Sequence, residues 1–93
     1  MGKVNSIVTD DVKHCAVCGK PHVEIHHCLH GWADRKLADK YGLVVGLCHE
    51  HHRELHDSPS RALDKHFQAK AQKAFEFKYS HEEFMKIFGR NYL

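Results

Sequence analysis

The doublet His26-His27 stands twenty-two residues before a second run, Cys48-His49-Glu50-His51-His52-Arg53-Glu54-Leu55-His56. Upstream of both lies Cys15-Ala16-Val17-Cys18-Gly19. Thiolates and imidazoles are ligands that divalent transition metals favour. This set holds enough of them for two ions, with one histidine left over as a base. The chain's eleven histidines are dispersed rather than strung as a tag, and most fall between positions 14 and 56.

Cys15, Cys18, Cys48 and His51 form two Cys-x-x-(Cys/His) pairs separated by a strand–loop–strand stretch. Four protein ligands close a tetrahedral zinc site and leave no position for substrate, so such a site is structural. The plainer reading is ordinary buried cysteines beside a surface histidine, and the paired spacing argues against it. Cys28 is the odd cysteine, expected in the core or a loop, with replacement of one of these ligands as the alternative.

His52 and His56 are four residues apart on one expected helix, so their rings leave the same face. His26, at the end of the preceding strand, reaches that face if the hairpin packs on the helix. Three histidines with open positions describe a catalytic divalent-metal site. A solvated histidine-rich helix is the bland alternative, and His49, three residues before His52, leaves the register open by a turn. Successive strand residues point to opposite sides, so His27 does not share the role of His26. An unligated histidine there suits general-base activation of water.

These residues need elements to hold them. Cys15–Cys18 with Gly19 reads as a tight turn that Pro21 ends. Val23 to His26 alternates as a short strand, with His27 opening a loop through Cys28, His30, Gly31 and Trp32. Ala33 to Tyr41 suits a helix stopped by Gly42, and Leu43 to Leu47 a second strand. A helix from His49 to His56 ends at Asp57-Ser58-Pro59. Beyond it, Leu63, Phe67, Ala71, Ala74 and Lys78 keep helical spacing, with Phe75 and Phe77 adding apolar bulk. Ser80-His81-Glu82-Glu83 has the form of a capping box before a helix that buries Phe84, Ile87 and Phe88 and stops at Gly89. Residues 1–13 read as a lead-in or a short strand over Val4, Ile7 and Val8.

Ninety-three residues make one domain, and a core this small commonly needs metals or disulfides. No apolar signal segment opens the chain, so metal–thiolate chemistry in a reducing cytoplasm is expected rather than disulfides. Met1-Gly2-Lys3-Val4-Asn5-Ser6 meets a loose lipidation pattern that no other membrane feature supports. No stretch is long and apolar enough to span a bilayer. A formal net charge of +2 suits nucleic acid without arguing for it strongly.

From Cys15 to His56 the chain resembles the HNH, or ββα-metal, nuclease superfamily. Val23–His27 looks like its first strand, ending in a metal ligand followed by the base, and the His-His doublet is the variant also seen in colicin DNases. Leu47-Cys48-His49-Glu50-His51-His52 is similar to the family's Leu-Cys-x-x-Cys-His run, with His51 in place of the second cysteine. Ile25-His26-His27, Val45-Gly46-Leu47-Cys48 and His51-His52-Arg53-Glu54-Leu55-His56 look most like phage recombination-enhancement nucleases and their prophage relatives. The resemblance implies an α+β domain over 1–93, with a zinc-knuckled ββα core over 14–57 and a helical extension over 60–93. It implies a DNA endonuclease in the cytoplasm of a bacterial host, working with a recombinase filament as a candidate partner. His26, His52 and His56 would hold the catalytic ion, His27 would be the base, and Arg53 a candidate phosphate contact. Imidazoles favour Zn²⁺ or Ni²⁺, whereas the resemblance implies Mg²⁺ or Mn²⁺. The family's middle Asn falls at Leu43, nine residues before His52, and leucine cannot make its polar contact. Asn91, Asp39 or a backbone carbonyl is left to hold the base.

Arg35, Lys36, Lys40, Lys65, Lys70 and Lys73 are candidate phosphate contacts, though each taken singly reads as a solvated charge. Trp32 reads as a loop anchor, with stacking on an unpaired base as the alternative. Two other functions suit the same sequence: a non-catalytic zinc-dependent DNA-binding module and a zinc-knuckle protein adaptor. Neither gives His27 a task.

Overall fold

A computed structural model describes residues 6–29 and 32–93, apart from the side chains of Trp32 and Ala33. The alternating and β-branched segments pair as one antiparallel hairpin. Strand β1, Glu24–His27, runs against β2, Val44–Leu47, with Glu24 opposite Leu47 and His27 opposite Val44. The sequence pattern has His27 opening the loop. Its pairing with Val44 makes it the last strand residue instead, and β1 starts one residue later than its alternation suggested. The expectations for His30, Gly31 and the ring of Trp32 lie outside the described residues.

Helix α1, Trp32–Tyr41, joins the strands. It ends because Gly42 turns left-handed at φ 73°, letting the Leu43 N–H reach back to the Ala38 carbonyl at 2.8 Å. Helix α2, His49–Asp57, packs on both strands. Helix α3, Ala62–Lys78, packs on α2 and on α4, His81–Phe88. Ser80 caps α4 as expected, its Oγ accepting from the Glu83 N–H at 3.0 Å, and Gly89 closes the helix in the left-handed conformation. The described chain is thus a small α+β fold of four helices and one two-stranded sheet.

One core runs through both halves. Leu29, Leu43, Val45, Leu47 and Leu55 are buried under the hairpin and meet Phe67, Ala71, Phe75 and Phe84 from the extension. The Tyr41 ring stands edge-on to Phe75 and Phe88 and ties α1 to the C-terminal helices. Each buried phenylalanine adds about 1.5–3 kcal/mol, so the extension completes a core the hairpin could not close alone. Phe77 does not belong to it. Two residues from Phe75 is about 200° around the helix, which leaves Phe77 95% exposed.

The lead-in crosses the hairpin without pairing as a strand at Ile7 and Val8. Ser6 Oγ donates to the Val44 carbonyl at 2.6 Å, and the Ala16 N–H donates to the Gly46 carbonyl at 2.8 Å. The approach demands glycine at 46. A Cβ there would lie 2.6 Å from the Val12 carbonyl oxygen and 2.9 Å from Val23 Cγ2. Among the described residues no helix is long and apolar enough to cross a membrane.

Candidate metal centres

The Cys15–Cys18 turn and the start of α2 bring four soft ligands together. Ligand atoms of Cys15, Cys18, Cys48 and His51 all lie within 4.8 Å of one another. Sulfurs about 2.3 Å and a nitrogen about 2.0 Å from a tetrahedral zinc stand about 3.8 Å apart, sulfur to sulfur, and about 3.5 Å, sulfur to nitrogen. Cys18 and Cys48 are 3.8 Å apart at sulfur, and His51 Nδ1 is 3.6 Å from Cys15 and 3.2 Å from Cys48. The cage therefore has the size and donor set of a closed zinc site, and this Cys₃His cluster could hold a zinc ion.

The backbone prepares the cage for anionic sulfur. Burial pushes the Cys15 thiol up, but hydrogen bonds from the backbone at Cys48, Cys18 and Val17 outweigh it and bring it down to about 6. Cys48 is also the N-cap residue of α2, which places this ligand at the start of the helix. Cys28 has the opposite setting. It is fully buried, and burial pushes its thiol up to about 12, which fits an inert core residue outside the cage.

A second cluster draws on β1 and α2. Ligand nitrogens of His26, His52 and His56 also lie within 4.8 Å of one another. His26 Nδ1 and His52 Nε2 are 3.3 Å apart, close to the roughly 3.3 Å edge of a tetrahedron with metal–nitrogen bonds of about 2.0 Å. His26 is 2% exposed on the strand, whereas His56 faces solvent on α2. The cluster is buried at one end and exposed at the other. His49 does not join it. Its Nδ1 lies 3.2 Å from Glu24 Oε2, which settles the register left open by the sequence.

Glu24 is the residue that sequence reasoning missed. At the first position of β1 it accepts from His52 Nδ1 at 2.7 Å with one oxygen while the other meets His49. Hydrogen bonding to His52 first, and to His49, holds its carboxyl below the ordinary value. The contact fixes the ring so that Nε2 faces His26, the arrangement in which a carboxylate orients a metal-binding imidazole. Strand alternation put Glu24 on the side of His26 from the outset, but only the packing of α2 supplied its partner. Glu24→Ala is expected to weaken an exchangeable ion at the three histidines by about 10–100-fold and to leave a second, chelator-resistant zinc in place. Metal titration with elemental analysis checks this, and a single metal per chain that needs both Cys15 and His56 would contradict two separate centres.

His27 points to the other side of β1, toward α1. Its Nε2 lies 2.8 Å from Asp39 Oδ1; the histidine side chain is 16% exposed and the aspartate 66%. The main chain just beyond is held as well, because the Cys28 N–H donates to the Leu43 carbonyl at 3.0 Å. Of the groups left to hold this histidine, Asp39 meets the ring and the Leu43 backbone meets the chain. Asn91 is spent elsewhere, accepting from Gln72 at 2.8 Å. Arg53 is largely exposed and pairs with Asp57 at 3.4 Å. Arg35, Lys36 and Lys40 are exposed along α1.

No family model, curated protein or solved structure matches the chain.

Proposed function

We propose that this protein is a metal-dependent DNA endonuclease of the HNH, or ββα-metal, kind. The observation that carries the reading is the placement of His27. It follows a metal-suited histidine in the strand and has its own carboxylate partner, an arrangement for which a purely structural zinc module has no use. His26, His52 and His56 would hold the catalytic ion. When bound, that ion would supply Lewis-acid stabilisation of the scissile phosphate and the leaving 3′ oxygen. Donation from His27 Nε2–H to Asp39 leaves Nδ1 as the nitrogen with a lone pair, ready to take a proton from the attacking water. Arg53 would exchange Asp57 for phosphate. Three imidazoles favour Zn²⁺ or Ni²⁺ by affinity, while Mg²⁺ or Mn²⁺ follows from the resemblance. Action on DNA in a bacterial cytoplasm, with a recombinase filament as partner, belongs to the same reading.

Loss of the 3′ oxygen fixes the products. Nicks are expected to carry 5′-phosphate and 3′-hydroxyl ends, so DNA ligase should reseal them without prior end repair. Nicks that ligase cannot close until a 3′-phosphate is removed would contradict this assignment of the leaving group.

A further inference from the structure

Phe77 has no role in the core or in either metal centre, yet it is the most exposed large apolar side chain among the described residues. At 100° per residue, His66, Lys70, Lys73 and Phe77 fall within a stripe about 60° wide and about 16 Å long. The stripe lies opposite Phe75, which faces the core. All four side chains are exposed. The carboxylates of α3 are turned away from it: Asp64 is buried and takes Arg61, and Glu76 takes Gln72 and His81. Among the described residues neither Lys70 nor Lys73 makes an ion pair. Lys65, on the same helix, stands about 100° to one side.

We infer that this face of α3 binds an unpaired nucleic-acid strand, with Lys70 and Lys73 on its phosphates and the Phe77 ring stacked on a base. The inference rests on the nuclease reading for the class of ligand and adds to it the single-stranded form. Two unpaired cations in line with a bare ring match a polyanion that also presents flat aromatic faces. A protein partner fits poorly, because lysine is depleted from the cores of protein interfaces and one ring is too little apolar area for a stable one. A duplex keeps its base faces stacked, so only an unpaired base offers a surface to the ring.

The test is fluorescence anisotropy on the intact, zinc-loaded chain with a labelled oligothymidylate of about twenty nucleotides and a duplex of equal length. Phe77→Ala, at an exposed site, leaves the fold and zinc content unchanged. It is expected to weaken oligothymidylate binding about tenfold while leaving duplex binding within about twofold, and Phe77→Trp should restore it. The double variant Lys70→Ala/Lys73→Ala should reduce the salt dependence of oligothymidylate binding by about 1.4 in slope. Wild-type oligothymidylate affinity in Phe77→Ala would overturn the inference. So would an equal loss on both probes, or a loss of self-association alone. The readout is binding, so it separates from catalysis: Phe77-dependent binding without cleavage by any metal removes only the nuclease reading, and cleavage with no effect of Phe77 removes only this surface.

Discussion

Cys48→Ser is expected to empty the Cys₃His cage of zinc and to destabilise the whole domain. Cys48 is both a cage ligand and the cap of α2, the helix that packs on both strands. Structural zinc is worth about 10–16 kcal/mol in small zinc peptides, against about 5–15 kcal/mol for the net stability of a whole domain. Losing a ligand should exceed the hundredfold typical of losing an outer contact, so it costs more than about 2.7 kcal/mol. At about 4–8 °C per kcal/mol for a domain this size, the unfolding midpoint should fall by more than about 11 °C. Cys28→Ser is the control. It disturbs a buried thiol outside the cage and should lower stability without releasing zinc. Stoichiometric zinc and an unchanged midpoint in Cys48→Ser would contradict a structural site.

His27→Ala is expected to lower the rate of DNA cleavage by about a hundredfold or more, the usual scale for a lost general base. Zinc content, the exchangeable metal and DNA affinity should stay near wild type, because His27 lies outside both ligand clusters. Asp39→Ala should cause a smaller fall of the same kind, since the ring remains and only its partner goes. His56→Ala should instead weaken the exchangeable ion, and excess metal should recover part of the activity. Rates measured against metal concentration separate the cases: a base variant stays slow at saturation, whereas a ligand variant shifts the curve. Full recovery of His27→Ala by excess metal would make His27 a ligand.

The parts of the site that obey short-range rules were legible in the sequence. The Cys-x-x-Cys turn, the Cys48–His51 pair and the i, i+4 pair His52/His56 each follow from local geometry alone. What needed tertiary packing was not legible. Glu24 gains its role only when α2 lies across β1, and Asp39 could not be chosen over Asn91 until α1 was placed beside His27. The alternation of Val23–His26 gives no sign that Val44 extends the pairing by one residue, to His27. Phe77 shares its apolar character with Phe75, yet two residues on a helix face nearly opposite ways, and Phe77 is exposed. For Glu24, Asp39 and His27 the deciding neighbour lies on another element that the linear chain does not name, whereas the outward turn of Phe77 follows from helical periodicity alone.

Cleavage of plasmid DNA by the purified chain, in a series of Mg²⁺, Mn²⁺, Ni²⁺ and Zn²⁺ beside His27→Ala, tests the central proposal most directly. The expected result is nicking by the wild-type protein with at least one of these ions, and a loss of about a hundredfold in the variant at equal metal occupancy. Wild-type protein that binds single- and double-stranded DNA yet cuts neither with any of the four ions would contradict the nuclease reading and leave a zinc-dependent DNA-binding module in its place.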